Sequence, residues 1–294
     1  MLYLFILLYF ANRFKNMAKT ISIQGQPCSF HEIAMREYFQ DEDISAIYCQ
    51  NFPEVFDNIS SGKSEYGVVA FENSIAGSIL SNNNRLESGD YYIVGEIFLR
   101  IHMHLMAIKG QKLENVRKVL SHPIALQQSE AFLITLKNIT LEERDDTADS
   151  AREIAEFQIE NAAALASAAA AEKYNLEILT ENVQSIKNNQ TRFQIIKGGK
   201  GKSQENFNKS TISFSTSHNS GSLARALLVL AKNRISLTKI QSIPRPGESW
   251  KYNFHCDMEV ENQEDYRKGI EELRGEVENL RIFGEYVRGK LFNQ

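Results

Sequence analysis

The chain has 294 residues, a net charge of −4, 43% hydrophobic and 24% charged side chains. That length exceeds one typical domain, and the composition is neither polar enough for disorder nor apolar enough for a membrane bundle, so two or three globular units are expected. A slightly acidic chain lacks the surplus of Lys and Arg that general phosphate-backbone binding requires, so neither nucleic acid nor membrane is an expected partner, and an anionic ligand must be held locally.

The apolar run Leu2–Phe10 is too short to span a bilayer, and its basic residues, Arg13 and Lys15, follow it, the reverse of a signal peptide. Residues 1–18 are read as a non-native or unstructured extension, with Met17 the expected start. From Thr20 to about Arg144, short apolar runs (Ile21–Ile23, Ala46–Tyr48, Tyr66–Ala70) alternate with helical patterns such as His31–Phe39. This predicts an α/β unit with a parallel sheet covered on both faces and ligands at the carboxyl ends of its strands. The strand-like stretch Tyr91–Lys109 exceeds a normal strand and is expected to cross between two lobes. A strand is predicted over Val116–Leu120 and a helix over Pro123–Leu136. Asp146–Asp149 offers N-cap oxygens to a further helix, and Asn161 is expected to cap another over the Ala-rich run Ala162–Tyr174.

The Gly- and Lys-rich stretch Lys197–Gln204 reads as a linker; its ending does not meet the frame of a phosphate loop. Beyond it come strand Thr211–Ser217, helix Leu223–Lys232, strand Ile235–Ser242, a turn at Pro246-Gly247, strand Trp250–Val260, helix Glu264–Leu273 and strand Leu280–Val287. That order, βαββαβ, predicts a ferredoxin-like sandwich. Cys28, Cys49 and Cys256 are widely spaced without a C-x-x-C pair, so neither a disulfide framework nor a zinc site is indicated, and reduced thiols in a cytoplasmic protein are expected.

Four polar segments lie at strand ends. Glu72-Asn73-Ser74 with Gly77-Ser78 is expected at a helix start, where N–H groups face an anion. Ser121-His122-Pro123, with Gln127-Gln128, opens another helix. In Asn189-Gln190-Thr191-Arg192-Phe193, Arg192 can fork two donors onto a carboxylate and Thr191 can donate to a leaving oxygen. In the terminal unit, Gly221-Ser222-Leu223 starts a helix and Gln241-Ser242-Ile243-Pro244 ends a strand.

Together and in this order the segments resemble the prephenate dehydratase family: its ENS-x-x-GS, SHPxALxQ and NxTRF segments in turn, over about Thr20 to Val287. The terminal unit resembles the ACT domain. Departures are Gly25-Gln26-Pro27-Cys28-Ser29-Phe30 for the family's GPxGTF loop, Gln241-Ser242-Ile243-Pro244 for ESRP, and Ser220 for the Pro before Gly221. The resemblance implies a two-lobed periplasmic-binding-protein-like catalytic domain followed by a ferredoxin-like ACT domain. Residues 19–199 would form the catalytic domain (lobe 1 about 19–100 and 180–199, lobe 2 about 101–179), 200–208 a linker and 209–294 the ACT domain. No chorismate mutase portion precedes it, which reads as monofunctional.

The implied activity is a carbon–oxygen lyase converting prephenate to phenylpyruvate, carbon dioxide and water in phenylalanine biosynthesis, without metal or cofactor. Thr191 and Glu72 are then the expected catalytic residues. Asn73, Ser74, Ser121, His122, Gln128, Asn189, Arg192 and Phe193 would bind substrate. Gly221, Ser222, Leu223, Gln241, Ser242 and Pro244 would hold L-phenylalanine as effector, in a homodimer or homotetramer. Alternative readings are an arogenate dehydratase, or a non-catalytic two-lobed small-molecule-binding regulatory protein.

Overall fold

The computed structural model describes residues 18–40, 42–245 and 247–293. Most of the expected 1–18 extension, and Pro246 of the expected turn, lie outside the described residues. By contact density the chain forms two compact units. The first comprises the chain through Gly77, Phe98–Phe193 and the segment from Leu291; the second comprises Ser78–Ile97 and Gln194–Lys290.

In chain order the elements are β1 (Lys19–Gln24), α1 (Phe30–Phe39), β2 (Ile44–Cys49), α2 (Phe52–Ser60), β3 (Tyr66–Asn73), β4 (Gly77–Ser78), α3 (Leu80–Ser88), β5 (Tyr91–Arg100), β6 (His104–Ala107) and β7 (Lys118–Ser121). Then follow α4 (Pro123–Gln128), α5 (Glu130–Leu133), β8 (Thr140–Glu143), α6 (Thr147–Phe157), β9 (Ala162–Ala166), α7 (Ala168–Lys173), β10 (Glu177–Thr180) and β11 (Gln190–Gly198). The strands lie in two sheets, ordered β16-β5-β11-β3-β1-β2 with β4 on β3, and β10-β6-β9-β7-β8; β16 (Leu291–Phe292) is the last strand of the chain.

The sheets are mixed, not purely parallel as predicted: β1 pairs in parallel with β2 and β3, whereas β6 runs antiparallel to β9 and β10. The reversal arises because the long run from Tyr91 is two strands. It breaks at residues 101–103 and changes sheet, and the chain returns through 181–189. The two crossings are bonded to each other by Ile101 N–H to Asn189 O at 2.8 Å, Val183 N–H to Met103 O at 2.8 Å and Met103 N–H to Gln184 Oε1 at 3.0 Å.

The Ala-rich helix is a correction. Ala162–Ala166 is a strand with every residue 0% exposed, and only Ala168–Lys173 is helical, capped by Ser167 and not Asn161. Asn161 sits at φ 58°, outside the extended region usual for an N-cap, and the segment that follows it is a strand. The strand fills the centre of its sheet between β6 and β7, where α6 packs on it, and that burial overrides alanine's helix propensity. The helix predicted over Pro123–Leu136 is likewise two short ones broken at Ser129.

The second unit contains β12 (Lys209–Ser215), α8 (Ser222–Lys232), β13 (Ser236–Pro244), β14 (Tyr252–Glu259), α9 (Gln263–Glu276) and β15 (Glu278–Tyr286), an antiparallel sheet ordered β13-β14-β12-β15. Ile212, Phe214, Ala226, Leu230, Met258, Tyr266 and Leu273 form its core. The terminal unit does not extend to 294 as expected, because Leu291 and Phe292 pair in parallel with Phe98 and Leu99 and cover an otherwise open edge of β5. Ser78–Ile97, expected in lobe 1, also groups with the second unit. Cys28, Cys49 and Cys256 are free thiols.

Candidate active site

β3 and β11 are neighbours in the first sheet, so the end of one and the start of the other bring two of the expected segments together. Asn73 Nδ2 donates to Asn189 Oδ1 at 2.7 Å, Thr191 Oγ at 3.0 Å and Gln190 O at 3.1 Å. Asn189 Nδ2 donates to Gln128 Oε1 at 2.8 Å, and Gln128 Nε2 donates back to Asn73 Oδ1 at 3.2 Å. The three amides therefore form a closed cycle, each giving a hydrogen to the next. Flipping one would set two donors or two acceptors against each other on both sides, so the cycle fixes all three orientations. Gln128 enters from α4, which belongs to the other sheet's half of the unit.

Ser74 completes the stitching: its N–H donates to Gln190 O at 2.8 Å and its Oγ accepts from Gln190 N at 2.9 Å. The expected helix start at Asn73-Ser74 is replaced by a turn. Asn73 Oδ1 accepts from Ile75 N at 3.0 Å and Ala76 N at 2.9 Å, so those donors are engaged by a side chain and are not presented to an anion. The turn leads through Gly77, at φ 79°, to β4, and α3 begins only at Leu80.

Arg192 is 5% exposed, and its Nη1 lies 3.9 Å from Glu72 Oε2, which joins two further expected residues in one ion pair. Phe193 is 1% exposed and meets the ring of His31 edge-on at 5.0 Å. Ser121 stands apart from the amide cycle: fully buried, it donates to Leu165 O at 2.7 Å and so ties β7 to β9. His122 caps α4, its Nδ1 accepting from Ile124 N at 3.2 Å. Burial holds it below the usual histidine range, against the opposing charges of Asp145 and Glu143, which makes it a neutral acceptor at pH 7.

In the second unit, Gly221 adopts φ 81° at the N-cap of α8 without a side-chain cap. Ser222 Oγ is within 2.9 Å of Ser217 Oγ and donates to Asn219 O at 2.8 Å, and Leu223 packs on the unit's core. Gln241 Nε2 donates to Ser242 O at 3.0 Å; Ser242 and Pro244 are exposed on the edge strand β13.

His31 and Gln184 were not anticipated as parts of this region. His31 could have been noticed as a histidine on the apolar stripe of a helix with Ala34 and Met35. Gln184, 1% exposed in an irregular crossing, carries no such periodic signal. Among the described residues no group of three or more His, Cys, Asp or Glu side chains could hold a metal, and no helix is long and apolar enough to cross a membrane.

Residues 21–200 match the family model described as prephenate dehydratase. The chain is 34% identical to a bifunctional chorismate mutase/prephenate dehydratase of Aquifex aeolicus over 92% of this chain and 74% of that one. It is 33% identical to arogenate dehydratase 2 of Petunia hybrida over 90% and 72%. Among solved structures it resembles a prephenate dehydratase from Arthrobacter aurescens in complex with L-Phe (TM-score 0.83, 23% identity, 92% and 90% covered). It also resembles GqqA, described as a novel type of quorum quenching acylase (TM-score 0.80, 29% identity, 92% and 98% covered). A family model spanning more than half of the chain, and curated relatives above 30% identity along most of their length, fit the amide cycle built from the ENS and NxTRF segments: the chain belongs to the prephenate dehydratase family, enzymes of the carbon–oxygen lyase class.

Proposed function

We propose that the chain converts prephenate to phenylpyruvate. The dianion takes up one proton, the ring C–OH bond breaks to release water, and the ring carboxylate leaves as carbon dioxide while its bonding electrons complete the aromatic ring. Aromatisation drives the reaction, so the protein supplies orientation and a proton for a poor leaving group.

The observation that carries this reading is the hydrogen bond from Asn73 to Thr191 Oγ. It occupies a lone pair of the hydroxyl and leaves the hydroxyl hydrogen to donate to the departing oxygen. A threonine hydroxyl is a weak acid, so Thr191 polarises the C–O bond or relays a proton from Glu72 or water. Arg192 holds a substrate carboxylate, its pairing with Glu72 keeping the buried guanidinium in place. Asn189 and Gln128 hold the cycle, and Ser74, His122 and Phe193 shape the strand ends around it. For Ser121 the hydrogen bond to Leu165 supports a bracing role in place of direct contact with substrate.

The βαββαβ unit is read as an ACT domain that takes L-phenylalanine through Gly221–Leu223 and Gln241–Pro244, and its open edge strand β13 suits pairing with a second copy. Relatives of both names leave arogenate as the second substrate. Incubating purified protein with each substrate in turn, with and without phenylalanine, tests both. Phenylpyruvate from prephenate is the expected result, and phenylalanine formed from arogenate alone would replace it.

A further inference from the structure

The amide cycle joins the two sheets of the first unit through Gln128, which reaches Asn73 and Asn189 from the helix after β7. A second bridge lies at the loop between β1 and α1. Ser167, which follows β9, donates through Oγ to Cys28 O at 2.9 Å, and Tyr174 Oη donates to Pro27 O at 3.3 Å. β1 runs parallel to β3, and β9 runs parallel to β7. Both bridges therefore join the carboxyl ends of strands in one sheet to the carboxyl ends of strands in the other, where this class of fold binds its ligands.

The loop is shaped for this contact. Cys28 holds φ 68°, a left-handed conformation that disfavours a side chain, at the position where the family's GPxGTF segment has glycine. Its N–H donates to Glu32 Oε2 at 2.5 Å, and its side chain packs against the core of the other sheet, which includes Ala148, Ala166 and Ala170. Gly25, at φ 102°, comes so near the start of α6 that a β-carbon there would stand 2.7 Å from Asp146 Oδ2. The loop thus meets the other half through two carbonyls, one side chain and one glycine.

We propose that Ser167 and Tyr174 are positioning residues: they clasp the β1–α1 loop and so hold the two halves of the unit at the separation at which Gln128 closes the amide cycle around the substrate. The inference rests on the functional reading above. Releasing the clasp lowers the fraction of protein in the binding-competent arrangement, and apparent affinity falls by that fraction. Bound substrate restores the arrangement, so turnover of the complex is spared.

Tyr174→Phe removes the donor and keeps the ring. In this variant KM for prephenate is expected to rise about threefold or more with kcat within about twofold, and adding Ser167→Ala is expected to raise KM further. A merely structural role would lower Tm and leave KM in place, so an unchanged KM in the folded double variant overturns the proposal. The Cys28 thiol reports the clasp without substrate, because Cys49 and Cys256 are each 1% exposed whereas Cys28 is half-buried. Alkylation of native Cys28 by iodoacetamide, located by peptide mass spectrometry, is expected to be more than about tenfold slower than in the urea-unfolded chain. It is expected to quicken about threefold or more in Tyr174→Phe while Cys49 stays as in wild type. An unchanged Cys28 rate in Tyr174→Phe overturns the proposal, and so does alkylation of native wild type at the unfolded rate, even if the variants fail to fold. A wild-type protein inert towards prephenate would count against the substrate assignment, while alkylation would still decide the clasp.

Discussion

Asn73 Nδ2 lies 3.0 Å from Thr191 Oγ while its Oδ1 is held by Ile75 N, Ala76 N and Gln128 Nε2. The side chain cannot rotate without breaking bonds on both ends, so it presents a fixed donor to the hydroxyl.

Asn73→Ala should therefore lower kcat by about 100-fold, through loss of hydroxyl orientation and of the amide cycle. It should also destabilise the fold by about 1–3 kcal/mol, because buried Asn189 loses a donor. Steady-state kinetics and thermal unfolding check the two halves; unchanged kcat in a folded variant would show that the cycle does not orient Thr191.

Asp146 supplies a pH-dependent prediction. Burial raises its carboxyl to about 6, although Asp149 N and Ala148 N donate to it as the cap of α6. The folded state thus holds a proton that the unfolded chain releases at a lower, ordinary carboxylate pH. The stabilisation from the neutral form is fully present below that ordinary value and is lost as pH rises through about 6. Asp146→Asn keeps a capping oxygen without the buried charge, so it should raise Tm at pH 8, by at most about 3 kcal/mol in stability, with the gain fading towards pH 4. Equal Tm differences at both pH values would contradict this.

In the second unit Lys209 Nζ lies 3.0 Å from Glu96 Oε1, with side-chain exposures of 6% and 0%, and Gly289 N–H donates to the same oxygen at 3.3 Å. Removing one member leaves the other buried charge without its ion-pair partner. Glu96→Gln or Lys209→Met should each cost about 3–5 kcal/mol, whereas Glu96→Leu with Lys209→Met together should cost much less. A double-mutant cycle in denaturant measures the difference, and additive losses would rule out a coupled buried pair.

Much of the candidate site was legible because its polar side chains lie in short segments at strand ends. Asn73, Asn189 and Thr191 meet as β3 and β11 become neighbours, and Gln128 joins them from α4. What could not be read locally was decided by burial and pairing. Ala162–Ala166 has helical composition but occupies a sheet centre, where only small side chains fit beneath α6. Asn73 was expected to open a helix, yet its side-chain Oδ1 accepts from the N–H groups of Ile75 and Ala76 and makes a turn. Ser121 sits beside His122 in sequence, but strand pleating sends its hydroxyl to Leu165. The βαββαβ order was visible from periodicity, whereas the return of Leu291–Phe292 to β5 is a long-range pairing with no local signature.

The most direct test compares wild-type protein with Thr191→Ala, followed by phenylpyruvate formation from prephenate alongside thermal unfolding. The hydroxyl assignment predicts rapid product formation by wild type, and a loss of at least about 100-fold in kcat in a variant with nearly unchanged KM and Tm. Wild-type-like turnover by folded Thr191→Ala would contradict it.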